Sequence, residues 1–554
     1  MRTTLSLTLI LAFGLATNVA NADITFGTPA NLGPMVNSTA CEQGPTISSD
    51  GLELYFADHG GAPLRPGGCG AGDLWVATRS TTDDPWGAPL NLGPTVNSQA
   101  NDEFPSLSAD DLSLYFSSTR AGGSGGFDLW VTTRETKDAP WAAPVNLGST
   151  VNSQYSEGNP SISADGLSLY FSDFIAYRPG GYGGWDLYVT TRATLADPWG
   201  APVNLGATVN SPALDVNADI SADGLALFLE SNRPGSLGMA DLWMTTRTTQ
   251  DSDWGPMVRL GPTVNAGGFD AMPDISSDGS TLYFCAERAG GLGSVDLWQV
   301  SIDPVVDFNG DGKVDGAEIL AMADRWGTDD SFCDIGPFAW GDGVVDVEDL
   351  KVLAKYIGQP VDDPTLIGHW PMDETEGIVV QDIVGGNHGT VLGLPQWQPQ
   401  AGRIDGALEL NGITFITAKP VLSPADGAFS VLAWIKGGAP GQSIVSQSGS
   451  ANWLMADAAT GALMTELNSA GRTNAALYSE AVITDGNWHR IAFSWDNVCC
   501  RLYVDGVLVA EDAQEGLAAS SGKVTIGAGK NMAPGTFWTG LIDDVRIYNR
   551  AVRP

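Results

Sequence analysis

Basic residues are scarce in this chain of 554 residues, where 27 Lys and Arg stand against 65 Asp and Glu and give a formal net charge of -38. Nucleic-acid binding depends on Lys and Arg contacts to phosphates, so this composition excludes a nucleic-acid partner. An acidic surface of this kind is typical of extracellular proteins, some of which bind calcium, although solubility alone also accounts for it.

Cysteine and histidine are also rare. The six cysteines, at positions 41, 69, 285, 333, 499 and 500, are too few for a fold built on disulfides, and their spacing resembles no zinc site. Only Cys41 and Cys69 fall within one repeat of the sequence and are expected to be able to pair. Four histidines in the whole chain argue against a histidine-rich metal centre.

Long apolar runs are missing as well. The run at residues 5–15 is too short to span a bilayer. It follows Arg2 and precedes an A-x-A-type cleavage site at Ala20-Asn21-Ala22, so residues 1–22 are predicted to be a secretory signal peptide. No later run approaches transmembrane length. We therefore expect a secreted or cell-envelope protein with no transmembrane segment.

A repeat of about 55 residues occupies positions 24–300. Each copy has an S-x-D-G-type turn, then a strand-like segment such as L-S-L-Y-F, and later a D-L-W or D-L-Y triplet. The triplets begin at Asp73, Asp128, Asp186, Asp241 and Asp296. Four short strand-like pieces separated by Gly, Asp, Asn or Pro are typical of a propeller blade. Residues 23–303 are therefore predicted to form a five-bladed β-propeller.

The order of the pieces predicts how the ring closes. The region begins with an outer-strand piece, T-P-A-N-L-G, at residues 28–33. It ends with D-L-W-Q-V at residues 296–300, and no N-L-G piece follows. The first strand can therefore complete the last blade, and closure of this kind removes exposed sheet edges.

Each copy also carries one carboxylate and one arginine. The carboxylate lies three residues before the position that opens the P-S-I-S piece, and the arginine follows the Y-F strand. The carboxylates are Glu42, Asp102, Glu157, Asp215 and Asp270, and the arginines are Arg65, Arg120, Arg178, Arg233 and Arg288. If the P-S-I-S piece is the innermost strand, the five carboxylates form a ring around one mouth of the central channel.

Two interpretations of this ring compete. A pair of its carboxylates could carry out sugar chemistry, as in glycoside hydrolysis. Alternatively, each carboxylate pairs with an arginine across a blade junction and fixes the ring. A catalytic pair needs two different environments to separate its pKa values, so the five-fold regularity favours the structural interpretation. The aromatic residues of the triplets are expected to pack between blade faces.

The segments S-A-D-G-L-S-L-Y-F-S at residues 163–172 and G-G-F-D-L-W-V at residues 125–131 give the region a family resemblance. It resembles the WD40-like β-propeller repeats called PD40, which occur in secreted and cell-envelope bacterial proteins. Members of that family mostly serve as binding platforms. The resemblance therefore favours binding over catalysis.

Residues 307–318, within a predicted module at 304–363, match the twelve-residue calcium loop. The side-chain ligands would be Asp307, Asn309, Asp311, Asp315 and Glu318. Lys313 would offer its backbone carbonyl. Apolar residues at positions 319–326 predict a short helix with an apolar face after the loop. Calcium is the cofactor that this pattern predicts.

A second loop of the same kind runs up to Asp349. Its first two ligand positions hold Phe338 and Trp340, which cannot ligate through their side chains, so Asp334 would have to reach in through a distorted loop. Two loop-helix units of this length resemble a dockerin type I module. That resemblance implies a cohesin-like partner, and a calcium-stabilised spacer between two domains is the other interpretation.

Residues 364–554 are predicted to consist of strands throughout and to form an all-β sandwich. Asp505-Gly506 between two apolar runs indicates a tight hairpin. The segments A-L-E-L-N-G, W-H-R-I-A-F-S-W, L-Y-V-D-G and I-D-D-V-R-I-Y-N-R resemble the LamG-like, concanavalin A-like jelly-roll family. Domains of that family commonly bind glycans or proteins. We found no catalytic motif in this region, and no catalytic residue is assigned.

The sequence thus predicts a mostly β protein with a five-bladed propeller, a small α-helical calcium-loop module and a C-terminal jelly roll. The preferred function is that of a secreted, non-catalytic protein that binds extracellular polysaccharide, a glycoprotein or another partner protein. One alternative is a glycoside hydrolase or polysaccharide lyase that uses the propeller carboxylates. The other is a structural envelope or adhesion protein.

Overall fold

The computed structural model describes residues 24–59, 64–174, 178–330, 332–359, 361, 363–469, 476–514 and 516–554. The predicted signal peptide lies outside these residues. Within them the chain forms 37 strands and two helices, so the fold is mostly β, as the sequence predicts. Neither helix of this described part is long and apolar enough to cross a membrane.

The described chain divides into two compact units. The first unit contains the residues up to 304 together with residues 327–349, and the second contains residues 305–326 together with residues 350–554. The predicted module at 304–363 is therefore not a separate body. Its first calcium-type loop belongs to the second unit, and its second loop belongs to the first unit.

The first unit is a five-bladed propeller of antiparallel sheets. The chain begins with β1 (Ile24–Phe26) and β2 (Ala30–Asn31). The first two blades are β3–β6 (Glu42–Ile47, Glu53–Asp58, Leu74–Thr78, Leu90–Asn91) and β7–β10 (Asp102–Leu107, Ser113–Ser118, Asp128–Thr133, Val145–Asn146). The next two are β11–β14 (Ser156–Ile162, Ser168–Phe174, Leu187–Thr191, Val203–Asn204) and β15–β18 (Asp215–Ile220, Ala226–Ser231, Asp241–Thr246, Val258–Arg259). The fifth blade contains β19–β21 (Asp270–Ile275, Thr281–Ala286, Asp296–Pro304).

The N-terminal strands complete the fifth blade, which confirms the predicted closure. β2 pairs with β21 and places Asn31 opposite Trp298. β1 also pairs with β21 and places Phe26 opposite Ile302, a pairing that the sequence pattern did not reveal. Main-chain hydrogen bonds between the start and the end of this region therefore close the ring.

Both faces of each blade pack against a neighbour. In β8 of the second blade, Phe116 packs with Tyr55 of the first blade. The opposite face of the same strand carries Tyr115, which packs with Phe171 of the third blade. Successive side chains of a strand point to opposite faces, so one strand fills two blade junctions. The triplet aromatics Trp75, Trp130, Tyr188, Trp243 and Trp298 are all buried, which confirms their predicted packing.

Two short helices follow the calcium-type loops. α1 (Gly316–Ala323) begins with a capping box formed by Asp315 and Glu318, and α2 (Val347–Tyr356) follows the second loop. The predicted apolar face of the first helix is not buried, because the side chain of Leu320 is 68% exposed and that of Trp326 is 50% exposed. Met322 is the apolar residue of α1 that is buried.

The second unit contains a sandwich of two antiparallel eight-stranded sheets. Its strands are β22 to β29 (Leu366–Trp370, Val379–Val380, Gly389–Leu392, Gln396–Gln398, Ala407–Asn411, Phe415–Ala418, Phe429–Gly437, Ser443–Gln447) and β30 to β37 (Asn452–Ala456, Ala462–Thr465, Leu477–Val482, Trp488–Trp495, Cys499–Val504, Val507–Ala513, Val524–Ile526, Thr539–Tyr548). One sheet has the order β25-β26-β37-β28-β33-β34-β35, with β22 also paired to β37. The other has the order β23-β24-β27-β36-β29-β30-β31-β32.

Large apolar side chains fill the space between the two sheets. Trp370, Trp453 and Trp538 are fully buried there. The hairpin predicted from Asp505-Gly506 is confirmed, because these two residues join β34 to β35. Their φ angles of 53° and 79° are those of a tight two-residue turn. The architecture is the jelly roll that the sequence predicts.

No disulfide joins Cys41 to Cys69, so the expected pair is wrong. The sulfur of Cys69 donates a hydrogen bond to Asn91 Oδ1 at 3.6 Å instead. Cys285 is buried among apolar side chains, and burial raises the pKa of its thiol. The fold is held by packing and hydrogen bonds.

Candidate functional site

Each of the five predicted carboxylates forms an ion pair with the predicted arginine of its own blade. The pairs are Glu42–Arg65, Asp102–Arg120, Glu157–Arg178, Asp215–Arg233 and Asp270–Arg288. The carboxylates lie at the start of the innermost strands, and their side chains are at most 1% exposed. Because both partners belong to one blade, the expectation that the ion pairs cross a blade junction is wrong.

The arginines still hold neighbouring blades together through the connecting segments. Arg120 donates to the carbonyl of Val96 at 2.6 Å. Val96 lies in the segment that leads from β6 of the first blade to β7 of the second. The equivalent carbonyls in the other blades are those of Val36, Val151, Val209 and Val264. Each guanidinium therefore joins an innermost strand to its incoming connection.

The residue after each of these valines is an asparagine that binds the preceding blade. Asn97 accepts a hydrogen bond from the N–H of Leu74 at 2.9 Å and donates to the carbonyl of Leu74 at 3.0 Å. It also donates to Asn91 Oδ1 at 2.9 Å. The same pair of main-chain bonds is made by Asn37, Asn152, Asn210 and Asn265.

The surroundings of the ion pairs are apolar. The guanidinium of Arg65 lies 5.4 Å from the ring centre of Phe56 and 5.5 Å from that of Trp75. Burial raises the pKa of Glu42 and of Asp270, although an arginine adjoins each of them. Each of these carboxylates is buried and paired with an arginine, so it contributes to the ring.

A second ring of hydrogen bonds lies four residues further along each innermost strand. Asp219 accepts from the N–H of Ile275 in the next blade at 2.8 Å, and Asp274 accepts from the N–H of Ile47 at 2.9 Å. Side-chain oxygens of the other three blades accept equivalent bonds in the pairs Thr46–Leu107, Ser106–Ile162 and Ser161–Ile220. Sequence analysis missed this ring. Its signal is an oxygen-bearing residue at one position of every repeat.

Between the two rings, every innermost strand has a β-bulge. The bulged residues have φ angles between 53° and 57°, and they are Gly44, Phe104, Asn159, Asn217 and Met272. Residues other than glycine adopt this left-handed conformation at a cost of about 1 to 2 kcal/mol. Bulges redirect side chains, and all five of these residues line a cavity between the innermost strands.

This axial cavity has a volume of about 30 Å³. A water molecule needs about 10 to 15 Å³ of such space, whereas small-molecule sites span roughly 300 to 1,000 Å³. The cavity therefore has room for one or two water molecules and not for a sugar ring. The carboxylates Asp219 and Asp274 that line it do not face a cleft of the size that glycoside hydrolysis requires.

The first calcium-type loop is closed by hydrogen bonds from its own backbone. Asp307 accepts from the N–H groups of Gly310 and Gly312, both at 2.8 Å. Glu318 accepts from the N–H of Asp315 at 2.7 Å, and its other oxygen, Oε1, is buried with no hydrogen-bond partner among the described residues. Burial raises the pKa of Asp307 and of Glu318, and repulsion from neighbouring carboxylates adds to the effect.

Side chains of the jelly roll hold the outer side of this loop. The carbonyl of Gly310 accepts hydrogen bonds from Arg490 at 3.0 Å, from Arg546 at 3.1 Å and from the hydroxyl of Tyr548 at 3.1 Å. Arg550 donates to another loop carbonyl, that of residue 307, at 2.9 Å. These bonds explain why the first loop belongs to the second unit.

In the second loop, Asp334 takes the role that Asp307 has in the first loop. Asp334 accepts from the N–H groups of Asp342 and Gly343 at 2.9 and 2.7 Å, the bonds made at the first position of the other loop. Asp349 accepts from the N–H of Asp346 at 2.6 Å, as the last residue of the first loop does. Asp334 thus reaches in through a distorted loop, the route considered from the sequence. Burial raises its pKa to about 6.

The aromatic residues that break the second loop pattern pack on the propeller. The rings of Phe338 and Trp340 are stacked with centres 5.1 Å apart. The indole N–H of Trp340 donates to Asp223 at 2.9 Å, and its ring meets that of Phe228 edge to face. These residues therefore anchor the loop instead of ligating an ion.

Within the described ranges, no three His, Cys, Asp or Glu side chains converge on one metal-binding point. The carboxylates of the two loops are accordingly held apart by bonds to backbone N–H groups. In the first loop, the Oε1 atom of Glu318 is buried and has no hydrogen-bond partner among the described residues, so it is available as a metal ligand. The donor set of both loops consists of oxygen, which is the set that calcium prefers.

The family described as the concanavalin A-like lectin/glucanases superfamily matches residues 411–554. These residues cover most of the jelly roll, from the end of β26 to the last residue. A comparison with curated proteins finds no match to this chain.

Several solved structures are similar to this chain. Trypanosoma rangeli sialidase in complex with the inhibitor DANA aligns at 12% identity and a TM-score of 0.45, and the alignment covers 93% of each chain. Domain 4 of AbnA, a GH43 extracellular arabinanase from Geobacillus stearothermophilus in complex with arabinotriose, aligns at 22% identity and a TM-score of 0.24 over 34% of this chain and 94% of that one. The binding domain of Paraclostridial Mosquitocidal Protein 1 aligns at 15% identity and a TM-score of 0.29 over 34% of this chain and 49% of that one.

Proposed function

We propose that the protein is a secreted, non-catalytic binding protein that recognises carbohydrate on an extracellular polysaccharide or glycoprotein. The observation that carries this proposal is the match of residues 411–554 to a superfamily of lectins and glucanases. Those residues lie in the sandwich of two eight-stranded sheets. The jelly roll is the binding module in this proposal, and the propeller is a rigid scaffold.

The geometry of the propeller supports a scaffold. The carboxylate at the equivalent position of each blade is bound by one arginine, so the five groups lie in similar environments. Hydrolysis by two carboxylates requires unequal environments and a sugar-sized cleft between them. The ring provides neither, so binding is favoured over a glycoside hydrolase or polysaccharide lyase that acts through these residues.

Glycan-array binding by the full chain tests the proposal. We expect selective binding to one class of glycan. Absence of binding to every glycan, with the protein folded, would reject carbohydrate recognition and favour a structural envelope or adhesion protein.

A second assay separates binding from catalysis. Incubation of the full chain with a panel of polysaccharides is expected to release no product. Turnover that is lost in Asp102→Asn or Glu157→Gln, with the fold retained, would establish the hydrolase or lyase instead. If the same variants only lower the melting temperature, the ring has the structural role.

We further propose that the first loop binds calcium. Asp307, Asn309, Asp311, Asp315 and Glu318 would supply side-chain oxygens, and Lys313 would supply its carbonyl. The buried, unpartnered Oε1 of Glu318 supports this fit. When bound, the ion supplies positive charge that offsets the mutual repulsion of the loop carboxylates. The residues of the chain then need only hold their oxygens in place.

Calcium titration of the full chain by calorimetry tests this proposal. Glu318→Gln is expected to weaken one binding event, because it removes the charge of the last ligand and keeps its size. Lys313→Ala is the matched control, since only its backbone is expected to ligate. Equal calcium affinity in wild type and Glu318→Gln would contradict the proposal.

A second candidate function is docking onto a cohesin-like partner, as the dockerin resemblance implies. The exposed side chains of Leu320 and Trp326 beside the first loop favour it. Binding to purified cohesin modules is expected to weaken in Leu320→Glu and Trp326→Glu and to persist in Val344→Glu, which alters an exposed residue of the other loop. No binding of the wild type to any cohesin would reject this function.

A further inference from the structure

Two carboxylates line the axial cavity of the propeller. Asp219 on β15 and Asp274 on β19 belong to neighbouring innermost strands, and both line the axial cavity. They accept inter-blade hydrogen bonds that hydroxyl groups accept in the other three blades. The ring of hydrogen bonds therefore does not require negative charge at these two positions. Repulsion between the two groups opposes their ionisation together unless a positive charge lies nearby.

Two side-chain amides of the same cavity have oxygens without partners. Asn159 donates from Nδ2 to Ser172 Oγ at 3.2 Å, and Asn217 donates from Nδ2 to Glu230 Oε2. The oxygen end of each amide is left without a hydrogen-bond partner among the described residues. Both asparagines are more than nine-tenths buried, with exposures of 6% and 7%. An unpaired buried amide oxygen costs about 1 to 3 kcal/mol, so a missing partner is indicated.

We propose that the axial cavity binds one calcium ion, with the carboxylates of Asp219 and Asp274 and the amide oxygens of Asn159 and Asn217 as its protein ligands. These four residues supply oxygen donors only, which suits a hard cation and disfavours metals that prefer nitrogen or sulfur. Two carboxylates match the charge of a divalent ion. The cavity volume of about 30 Å³ holds one ion together with little water.

Calcium suits this site better than magnesium does. Calcium accepts six to eight oxygens in irregular arrangements, whereas magnesium demands near-octahedral geometry and retains several waters. The donors come from three different blades, at or near the bulges of the innermost strands. The ion would bind the third, fourth and fifth blades to one another. This site is separate from both calcium-type loops.

Equilibrium dialysis of the full chain with radioactive calcium tests the proposal. Calcium binding by the two calcium-type loops is first removed by combining Asp307→Asn, Glu318→Gln, Asp334→Asn and Asp349→Asn. One calcium per chain is expected to remain bound. Adding Asp219→Asn and Asp274→Asn is expected to abolish it, whereas Asp173→Asn, which removes a buried propeller carboxylate that does not line the cavity, leaves it in place. No residual calcium in the loop-silenced chain would overturn the proposal.

A milder variant and a crystallographic measurement distinguish loss of the calcium site from loss of the fold. Asn159→Ala with Asn217→Ala keeps both carboxylates and is expected to weaken the residual site by about tenfold or more, because it removes two of the four ligands and even the loss of a group that only supports a ligand has an effect of that size. Crystals of the full chain soaked in strontium chloride are expected to show an anomalous peak between Asp219 and Asp274. A water molecule there without anomalous signal, with the carboxylate pair sharing a proton, would overturn the proposal.

Discussion

The carboxylate of Asp274 in the fifth blade accepts a hydrogen bond from the backbone N–H of Ile47 in the first blade at 2.9 Å. This bond closes the inner ring at the propeller axis. The pairing of β2 with β21 closes the same ring at its periphery. The first and fifth blades are therefore joined both near the axis and at the outer edge of the ring. The continuous chain joins each of the other pairs of neighbouring blades.

Arg120→Ala is expected to destabilise the propeller by about 3 to 5 kcal/mol, because it leaves the buried carboxylate of Asp102 without its counter-charge. The midpoint of urea unfolding of the full chain measures this effect. Arg192→Ala is the comparison variant: that guanidinium lies over the ring of Trp199 at 4.3 Å and donates to the carbonyls of Gly166 and Leu195. Its removal leaves no buried carboxylate without a counter-charge, so a smaller loss of stability is expected. Equal shifts in the two variants would contradict the role assigned to the ion pairs.

Asn97→Ala is expected to cost about 1 to 3 kcal/mol, because it leaves the buried N–H of Leu74 without a partner and removes the bonds to the carbonyl of Leu74 and to Asn91. Thermal unfolding of the full chain, followed by calorimetry, measures the change. Gln99→Ala alters an exposed residue in the same connection and is expected to leave the melting temperature unchanged. A neutral Asn97→Ala would show that the connection is held by other contacts.

Trp340→Ala is expected to free the second loop from the propeller, because it removes the edge-to-face contact with Phe228 and the hydrogen bond to Asp223. Loss of a buried tryptophan typically costs about 3 to 5 kcal/mol. Hydrogen exchange is expected to speed up at the amides of residues 334–346. Unchanged exchange there, or an equal increase throughout the jelly roll, would argue against this anchoring role.

The stability of the jelly roll is expected to fall as the pH rises from about 4 to about 7. Burial, with repulsion from Asp544 and Asp373, raises the pKa of Asp543 to about 7, from an ordinary value near 3.8. In this window the unfolded chain has released a proton that the folded chain retains, so rising pH favours unfolding. The effect of this one buried group amounts to about 3 to 4 kcal/mol.

Asp543→Asn removes this titration and keeps an oxygen that can accept the bonds from the N–H groups of Arg403 and Ile404. The variant is expected to melt near the wild-type temperature at about pH 4 and above it at about pH 8. Calorimetry across this range measures both values. Asp426→Asn removes an exposed charge and is the control. Parallel curves for Asp543→Asn and wild type would reject the assignment.

The sequence predicts much of the propeller because its repeats constrain one another. Alignment of five copies places one carboxylate and one arginine in each blade, and all five pairs form. The inner hydrogen-bond ring is hidden in the same alignment, because Thr46, Ser161 and Asp219 are different residue types that accept the same bond. Chemical equivalence of this kind becomes visible only when the strands are placed around the axis.

Other features depend on contacts between residues that are far apart in the sequence, which a local sequence pattern does not predict. Phe104 and Met272 adopt left-handed φ angles that their residue types disfavour, because the bulges of the innermost strands impose them. The first calcium-type loop belongs to the jelly roll because of Arg490 and Arg546, which are far from it in sequence. Tertiary contacts decide both outcomes.

The pairing of β1 with the end of β21 also determines how the propeller responds to mechanical force. Ile24 lies directly opposite Pro304, and the pairs that follow are Thr25–Asp303 and Phe26–Ile302. Because the strands are antiparallel, tension between residues 24 and 304 would separate these pairs one after another instead of shearing them all at once. The seam that closes the ring would therefore open like a zipper under tension, before the blades themselves come apart.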